Sequence, residues 1–280
     1  MSNRLVPNLS VKVVGVAFDK RYRLASWTRK YKRLGRLVRK TMFDADDMIV
    51  VPKDGVAKRR VIETDIGIPD ADARTVLPSD VVKDIVTKAE KVFIMDFCIC
   101  RKSNGCEDYP KDHGCMFLGD GTDRIPREFG RVVDTEEAIE YIEECGRLGL
   151  VHIIGRNKLD SIWLNTRMDA RNLTTICNCC PCCCLWNMVR DIDEGIGGSF
   201  NRMESVEVTV DAGRCTGCGF CVEGCFVRAI TIEDGVCHID DSCRGCGRCA
   251  ENCPSEAITV TYDENAIGRE VARISELVDL

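Results

Sequence analysis

From Leu24 to Met42 the apolar residues Leu24, Trp27, Tyr31, Leu34, Val38 and Met42 recur in alternating steps of three and four. That period draws one apolar stripe along a helix. Residues 45 to 77 lose it, and only the short runs MIVV (48–51) and RVIET (60–64) read as strands. LPSD (77–80) then opens a helix, DVVKDIVTKAEK, with Ser79 in the N-cap position. VFIM (92–95) is a continuous apolar run of strand length, expected to be buried on both faces. A second helix, DTEEAIEYIEECGRLG (134–149), is capped by Asp134 or Thr135. LVHII (150–154) and LTTI (173–176) add two more strands. The glycines and serines of 192–205 read as a linker. The final segment spaces Ile267, Val271, Ile274 and Val278 as one helix face that packs back on the body.

These elements predict an α+β chain. A basic amphipathic helical segment (1–44) precedes an α+β domain (45–191), the linker (192–205), a compact module (206–262) and a C-terminal helix (263–280). Among 280 residues, 45% are apolar, enough for a sizeable core, and twenty are cysteine. The start of the chain lacks the pattern of a secretory signal, and no apolar run approaches a membrane span. A cytoplasmic location is therefore expected, where thiols stay reduced or bind metal rather than form disulfides. Oxygen-sensitive thiol sites in this number point to an anaerobe.

The net charge of −6 hides an asymmetry. Residues 20–43 hold ten Lys or Arg and no acid, and the remaining 29 basic and 45 acidic residues leave the rest of the chain at −16. Such a helix suits an anionic membrane surface, with Trp27 and Tyr31 at the headgroups, or an acidic partner protein. The plainer reading packs the stripe on this protein's own core or on a second copy, with the charges solvated. Nucleic acid is not expected, because nothing else resembles a nucleic-acid module.

Two cysteine arrays carry the chemistry. Residues 215–225 read CTGCGFCVEGC and residues 243–254 read CRGCGRCAENCP. Both are C-x2-C-x2-C-x3-C, related by a constant offset of 28 that also maps Ala229–Ile230 onto Ala257–Ile258. Gly217, Gly219, Gly245 and Gly247 let the backbone wrap inorganic sulfide. Residues 206–262 resemble a bacterial-type ferredoxin module with two 4Fe–4S clusters, a pseudo-twofold ββ/α fold. The resemblance implies one cluster on Cys215, Cys218, Cys221 and Cys253 and another on Cys243, Cys246, Cys249 and Cys225, because the fourth thiolate of each run crosses to the partner. It also implies low-potential one-electron transfer. Zinc is the alternative for C-x2-C pairs, and eight cysteines in this double spacing argue against it. The sequence departs from its own repeat at Phe226, where the second copy has Pro254. Cys237 matches no motif position and reads as a packed thiol.

The second array is ICNCCPCCCLW (176–186), six cysteines in eleven positions. Neighbouring side chains of an extended segment face opposite ways, so all six cannot reach one ion. Cys98, Cys100, Cys106, Cys115, Cys177 and Cys179 form the candidate ligand pool for an additional Fe–S cluster. Structural zinc, free thiols and a vicinal disulfide are the alternatives. Arg101 and Lys102, directly after Cys100, would hold an anionic substrate or balance cluster charge. His152, in an apolar strand, reads as a satisfied core residue.

The resulting expectation is an iron–sulfur redox protein whose ferredoxin module passes electrons to or from a cysteine-rich N-terminal domain, read as a reductive reaction centre. The alternatives are an electron-transfer subunit docking on a redox partner protein or membrane through its basic helix, and a scaffold that hands on clusters. Oligomeric state is not legible.

Overall fold

The computed structural model describes residues 18, 20–59, 77–164, 166, 172–204 and 206–277. The strand expected at 60–64 and Val278 lie outside the described residues. In chain order the elements are helices α1 (Arg21–Lys30) and α2 (Lys32–Met42), strands β1 (Asp47–Val50) and β2 (Ala57–Arg59), α3 (Asp80–Lys88), β3 (Val92–Met95), α4 (Ile99–Ser103), β4 (Met116–Leu118), β5 (Gly130–Val133), α5 (Thr135–Arg147), β6 (Val151–Arg156), α6 (Lys158–Trp163) and β7 (Thr174–Cys179). There follow α7 (Glu194–Gly197), β8 (Phe200–Arg202), β9 (Glu207–Val210), α8 (Phe220–Gly224), β10 (Ile230–Glu233), β11 (Val236–Ile239), α9 (Arg248–Glu251), β12 (Ile258–Tyr262) and α10 (Glu264–Leu277). The mixture of helix and strand is the expected α+β.

A seven-stranded sheet in the order β5-β3-β4-β7-β6-β1-β8 forms the body. Every pairing is antiparallel except β1 with β8. Side-chain alternation divides it into two apolar faces. Val92, Ile94, Met116, Leu118, Ile154 and Ile176 point to one face, which α3, α5 and α10 cover with Val82, Ile85, Ile142 and Ile274. Phe93, Met95 and Phe117 point to the other, alongside Met48, Val50, Val151 and Ile153 nearer its β8 edge. Burial on both sides explains why VFIM and LVHII carry no polar alternation.

Asp134 caps α5, its Oδ1 accepting the Glu137 amide at 2.9 Å. Ser79 precedes α3, but its hydroxyl makes no cap, and the Asp80 carboxylate instead accepts the Leu77 amide at 2.8 Å. The stretch 192–205 carries more than a connection. Ile196, Phe200 and Met203 are buried, and β8 closes one edge of the sheet. Its glycines at 195, 197 and 198 belong to a short helix capped by Asp193.

Residues 207–262 form a smaller unit with an internal repeat. β9 pairs with β12, β10 pairs with β11, and α8 and α9 occupy equivalent places 28 residues apart. It does not stand apart from the body. β2 adds to β12 in parallel, α10 packs on α3, and Arg273 holds Asp47 in a two-pronged ion pair at 2.5 and 2.6 Å.

The basic segment is two helices broken at Tyr31, whose φ of −104° and ψ of 88° interrupt the helical path. Ala25, Thr28 and Gly35 are the residues turned inward. A Cβ on Gly35 would stand 2.5 Å from the Thr28 carbonyl and 2.6 Å from Asp193 Oδ2, so glycine permits this close approach. Of the predicted stripe only Val38 packs on the protein. Leu24, Trp27, Tyr31, Leu34 and Met42 are 36–54% exposed.

Candidate metal centres

The loops before α8 and α9 follow one backbone pattern. Gly217 and Gly219 have φ of 66° and 84°, and Gly245 and Gly247 have 68° and 89°. These left-handed turns admit glycine without strain, and at Gly217 a Cβ would strike the Gly235 carbonyl at 2.6 Å. The repeat extends to hydrogen bonds on sulfur. The Ala229 amide donates to Cys225 Sγ and the Ala257 amide to Cys253 Sγ, both at 3.3 Å. Cys215 Sγ accepts the Cys237 amide at 3.3 Å, and Cys243 Sγ accepts the Gly245 amide at 3.4 Å.

A hollow is lined by Cys225, Cys243, Cys246 and Cys249. Burial, then the like charges of Cys246, Cys243 and Cys225, push the Cys249 thiol up. Burial, followed by Cys246 and Cys243, raises Cys225 to about 11. The fourth cysteine of the first run thus sits with the first three of the second. On the other side, Cys237 is raised to about 12 by burial and then by its contact with Cys221 and the charges of Cys215 and Cys253. Cys237 Sγ lies 3.7 Å from Cys221 Sγ, so this packed thiol touches the first group. Cys218 is exposed. Thiolates crowded this closely repel one another unless a cationic centre neutralises them. Glycine-lined loops, amides aimed at sulfur and a thiol-lined hollow fit an iron–sulfur group.

In the N-terminal domain the strand registers gather the other thiols. Pairing of Met116 with Ile176 sets Cys115 opposite Cys177, and their sulfurs stand 3.9 Å apart. Cys179 Sγ is 3.1 Å from Cys184 Sγ. Cys98, at the N-cap of α4, accepts the Arg101 amide at 3.5 Å. The Cys100 thiol, then the Arg101 charge and amide working against burial, lower Cys98 to about 7. Contact with Cys98, burial and the charges of Cys98, Cys184 and Cys115 raise Cys100. Cys98, Cys100, Cys115, Cys177, Cys179 and Cys184 therefore form one neighbourhood.

Cys106 is the member of the predicted pool that goes elsewhere. It joins Cys180, Cys182 and Cys183, whose sulfurs and its own all lie within 4.8 Å of one another. The alternation of β7 sends Cys177 and Cys179 to one face and Cys180 to the other, and a turn at 181–183 curls the next thiols back. Sequence reasoning missed Cys180, Cys182, Cys183 and Cys184 as members. The signal was Pro181, which ends the extended strand and with it the strict alternation.

Arg101 is fully buried. It donates to the carbonyls of Pro110 at 2.7 Å, Asn178 at 2.8 Å and His113. Its guanidinium faces Cys98, Cys179 and Cys115 from one group and Cys180 from the other, and their charges, against burial, raise its pKa. Enclosed in this way, it balances thiolate charge and is not placed to meet a substrate. Lys102 lies over the Phe97 ring. His152 is buried with Nδ1 2.8 Å from Asn178 Oδ1, the satisfied core histidine that was expected.

The two halves meet at Phe226. Its ring packs edge-on against Phe200 at 6.0 Å, and Phe200 stacks on Trp186 at 4.7 Å. The same apolar cluster includes Cys177, Cys179, Cys184, Cys225, Cys243 and Cys246. Arg248, between Cys246 and Cys249 in sequence and 4% exposed, donates to the Cys179 carbonyl.

Neither the curated proteins nor the solved structures yield a match to this chain. Residues 214–257 match the family model of a 4Fe-4S dicluster domain, so the thiol-lined unit of β9–β12 is a ferredoxin-like, 4Fe–4S-binding module with a role in electron transfer.

Proposed function

We propose that this protein is an electron-transfer protein in which the ferredoxin-like module exchanges electrons with a further iron–sulfur group held in the N-terminal domain. In this reading the module holds two 4Fe–4S clusters, on Cys215, Cys218, Cys221 and Cys253 and on Cys243, Cys246, Cys249 and Cys225. The further group draws its ligands from Cys98, Cys100, Cys115, Cys177, Cys179 and Cys184. Bound iron–sulfur clusters supply one-electron redox chemistry at low potential.

The observation that carries the reading is the shared apolar cluster around Phe226. In it Cys225, Cys243 and Cys246 of the module and Cys177, Cys179 and Cys184 of the N-terminal domain pack on the same aromatic wall. Arg248 ties the two backbones together, and Arg101 sets a fixed positive charge beside the N-terminal thiols. Amides directed at Cys98 and Cys253, whose thiols are both lowered, favour the thiolate form there.

EPR of the dithionite-reduced protein tests this. The reading expects signals from the module together with a further signal broadened by spin coupling to them. Cys179→Ser should remove the further signal and leave the module's. A spectrum of the module alone, identical in the variant, contradicts it.

We further propose that α1 and α2 dock the protein on an anionic lipid surface. The outward stripe of Leu24, Trp27, Tyr31 and Leu34 lies among exposed Arg23, Lys30, Lys32 and Arg33, which supports that partner. Among the described residues no helix is long and apolar enough to cross a membrane.

A further inference from the structure

We infer that Cys106, Cys180, Cys182 and Cys183 bind a single thiophilic divalent ion, zinc or iron, in a tetrahedral all-sulfur site separate from every iron–sulfur cluster. Four sulfurs at about 2.3 Å from one ion stand about 3.8 Å apart at the corners of a tetrahedron. Here Cys106 Sγ is 3.6 Å from Cys182 Sγ, Cys182 Sγ is 3.6 Å from Cys180 Sγ, and all four sulfurs fall within 4.8 Å of one another. A cube of four irons holds its thiolates wider apart, because the irons themselves are spread between them.

The molecule supplies its own comparison. Among the described residues no other set of three or more His, Cys, Asp or Glu side chains converges this tightly. Neither the eight cysteines of the ferredoxin-like module nor the six on the opposite face of the sheet do so. Those arrangements leave room for a larger group, whereas this one is closed around a point.

The quartet is also braced as a ligand set would be. Cys180 Sγ accepts the Cys183 amide at 3.3 Å. Asn187 donates to the carbonyls of Pro181 at 2.9 Å and Cys182 at 3.2 Å, holding the turn. Asn104 bridges the Cys100 carbonyl at 2.7 Å and the Cys183 carbonyl at 3.4 Å, fastening the end of α4 to that turn. Four thiolates on a divalent ion leave two negative charges, and the Arg101 guanidinium faces Cys180. The ion would pin the 180–183 turn to the loop after α4. Both segments also carry thiols of the other N-terminal group, so the ion acts as a structural clasp for that scaffold. The site stands whether or not the N-terminal domain holds an iron–sulfur cluster.

The test is elemental analysis and X-ray absorption of the anaerobically purified full chain, which sees zinc apart from cluster iron. The expected result is one zinc per chain with four sulfur neighbours at about 2.3 Å. If the ion is iron, the expected result is one isolated high-spin tetrathiolate iron per chain by Mössbauer spectroscopy. Cys182→Ser, at the exposed ligand, and Cys106→Ser, from the other segment, should each lose the ion or exchange one sulfur neighbour for oxygen, with acid-labile sulfide unchanged. Wild-type protein with no isolated ion of either metal overturns the inference. So does a fall in sulfide in either variant with zinc and isolated iron unchanged, which would assign the quartet to a multi-iron cluster.

Discussion

At the scale of single residues, Phe226 shows how one departure from a repeat records a second role. The repeat puts Pro254 at the equivalent place, and the sequence alone suggests only a changed loop after Cys225. In the fold the ring is 6% exposed and plugs the ferredoxin-like module into the Phe200–Trp186 stack. Removing a buried aromatic side chain costs about 3–5 kcal/mol. Phe226→Ala should therefore lower the anaerobic thermal midpoint clearly, whereas Phe220→Ala, at an exposed ring, should change stability by about 0.5 kcal/mol or less. Equal midpoints for the two variants would remove Phe226 as the joint. The eight module cysteines were legible from spacing because each run is local and glycine-punctuated. The N-terminal thiols were legible only as a pool, since the partition depends on which face of β7 each side chain leaves and on a turn that only tertiary packing fixes. Cys106 and Cys184 exchange places between pool and site for that reason.

At the scale of elements, the continuous apolar runs VFIM and LVHII form the buried strands expected, and the Asp134-capped helix follows its period. Short elements do not. β8 and α7 lie in a glycine-rich stretch whose four buried apolar residues, Ile192, Ile196, Phe200 and Met203, are too few to set a period. The basic segment is helical on both sides of the break at Tyr31, yet the small residues Ala25, Thr28 and Gly35, not its apolar stripe, face the body, and at Gly35 the lack of a Cβ lets backbone approach backbone. The join between α2, β1 and α6 makes a pH-dependent prediction. Burial, opposed by the Lys158 amide at 2.8 Å on Oδ1, raises Asp46 from 3.8 to about 7. Asp160 shifts the same way, to about 6, mainly through burial. A raised carboxyl pKa means that the folded chain keeps a proton the unfolded chain has released. Stability from these groups is present below the ordinary carboxylate pKa and is lost as pH rises through the folded value. Asp46→Asn keeps an acceptor for Lys158 and removes the titration. Its thermal midpoint should fall less than wild type between about pH 5 and pH 7. Parallel profiles would show that Asp46 is not the titrating group.

At the scale of the whole molecule, the charge asymmetry and the thiol groups have separate tasks on the proposed reading. The basic pair α1–α2 presents aromatic and apolar side chains outward, with Arg23 over Trp27 and Lys30 over Tyr31. Wild-type protein should float with anionic vesicles and not with zwitterionic ones, and less so as salt screens the attraction. Trp27→Ser combined with Leu34→Ser should abolish flotation without unfolding the protein, since both side chains are exposed. Equal flotation on both lipids, or none, would exclude the lipid surface and leave an acidic protein as the partner to seek. Cys177, Cys179 and Cys184 instead meet Cys225, Cys243 and Cys246 at the interior joint around Phe226, and on the proposed reading that contact makes one redox unit of the two halves.

The most direct measurement of that unit is acid-labile sulfide per chain in the anaerobically purified protein, because sulfide counts clusters and ignores isolated ions. Two 4Fe–4S clusters contain roughly eight sulfides. The account predicts a value clearly above this for the wild type, returning to roughly eight when Cys177, Cys179 and Cys184 are all replaced by serine. Roughly eight sulfides in both proteins would contradict it.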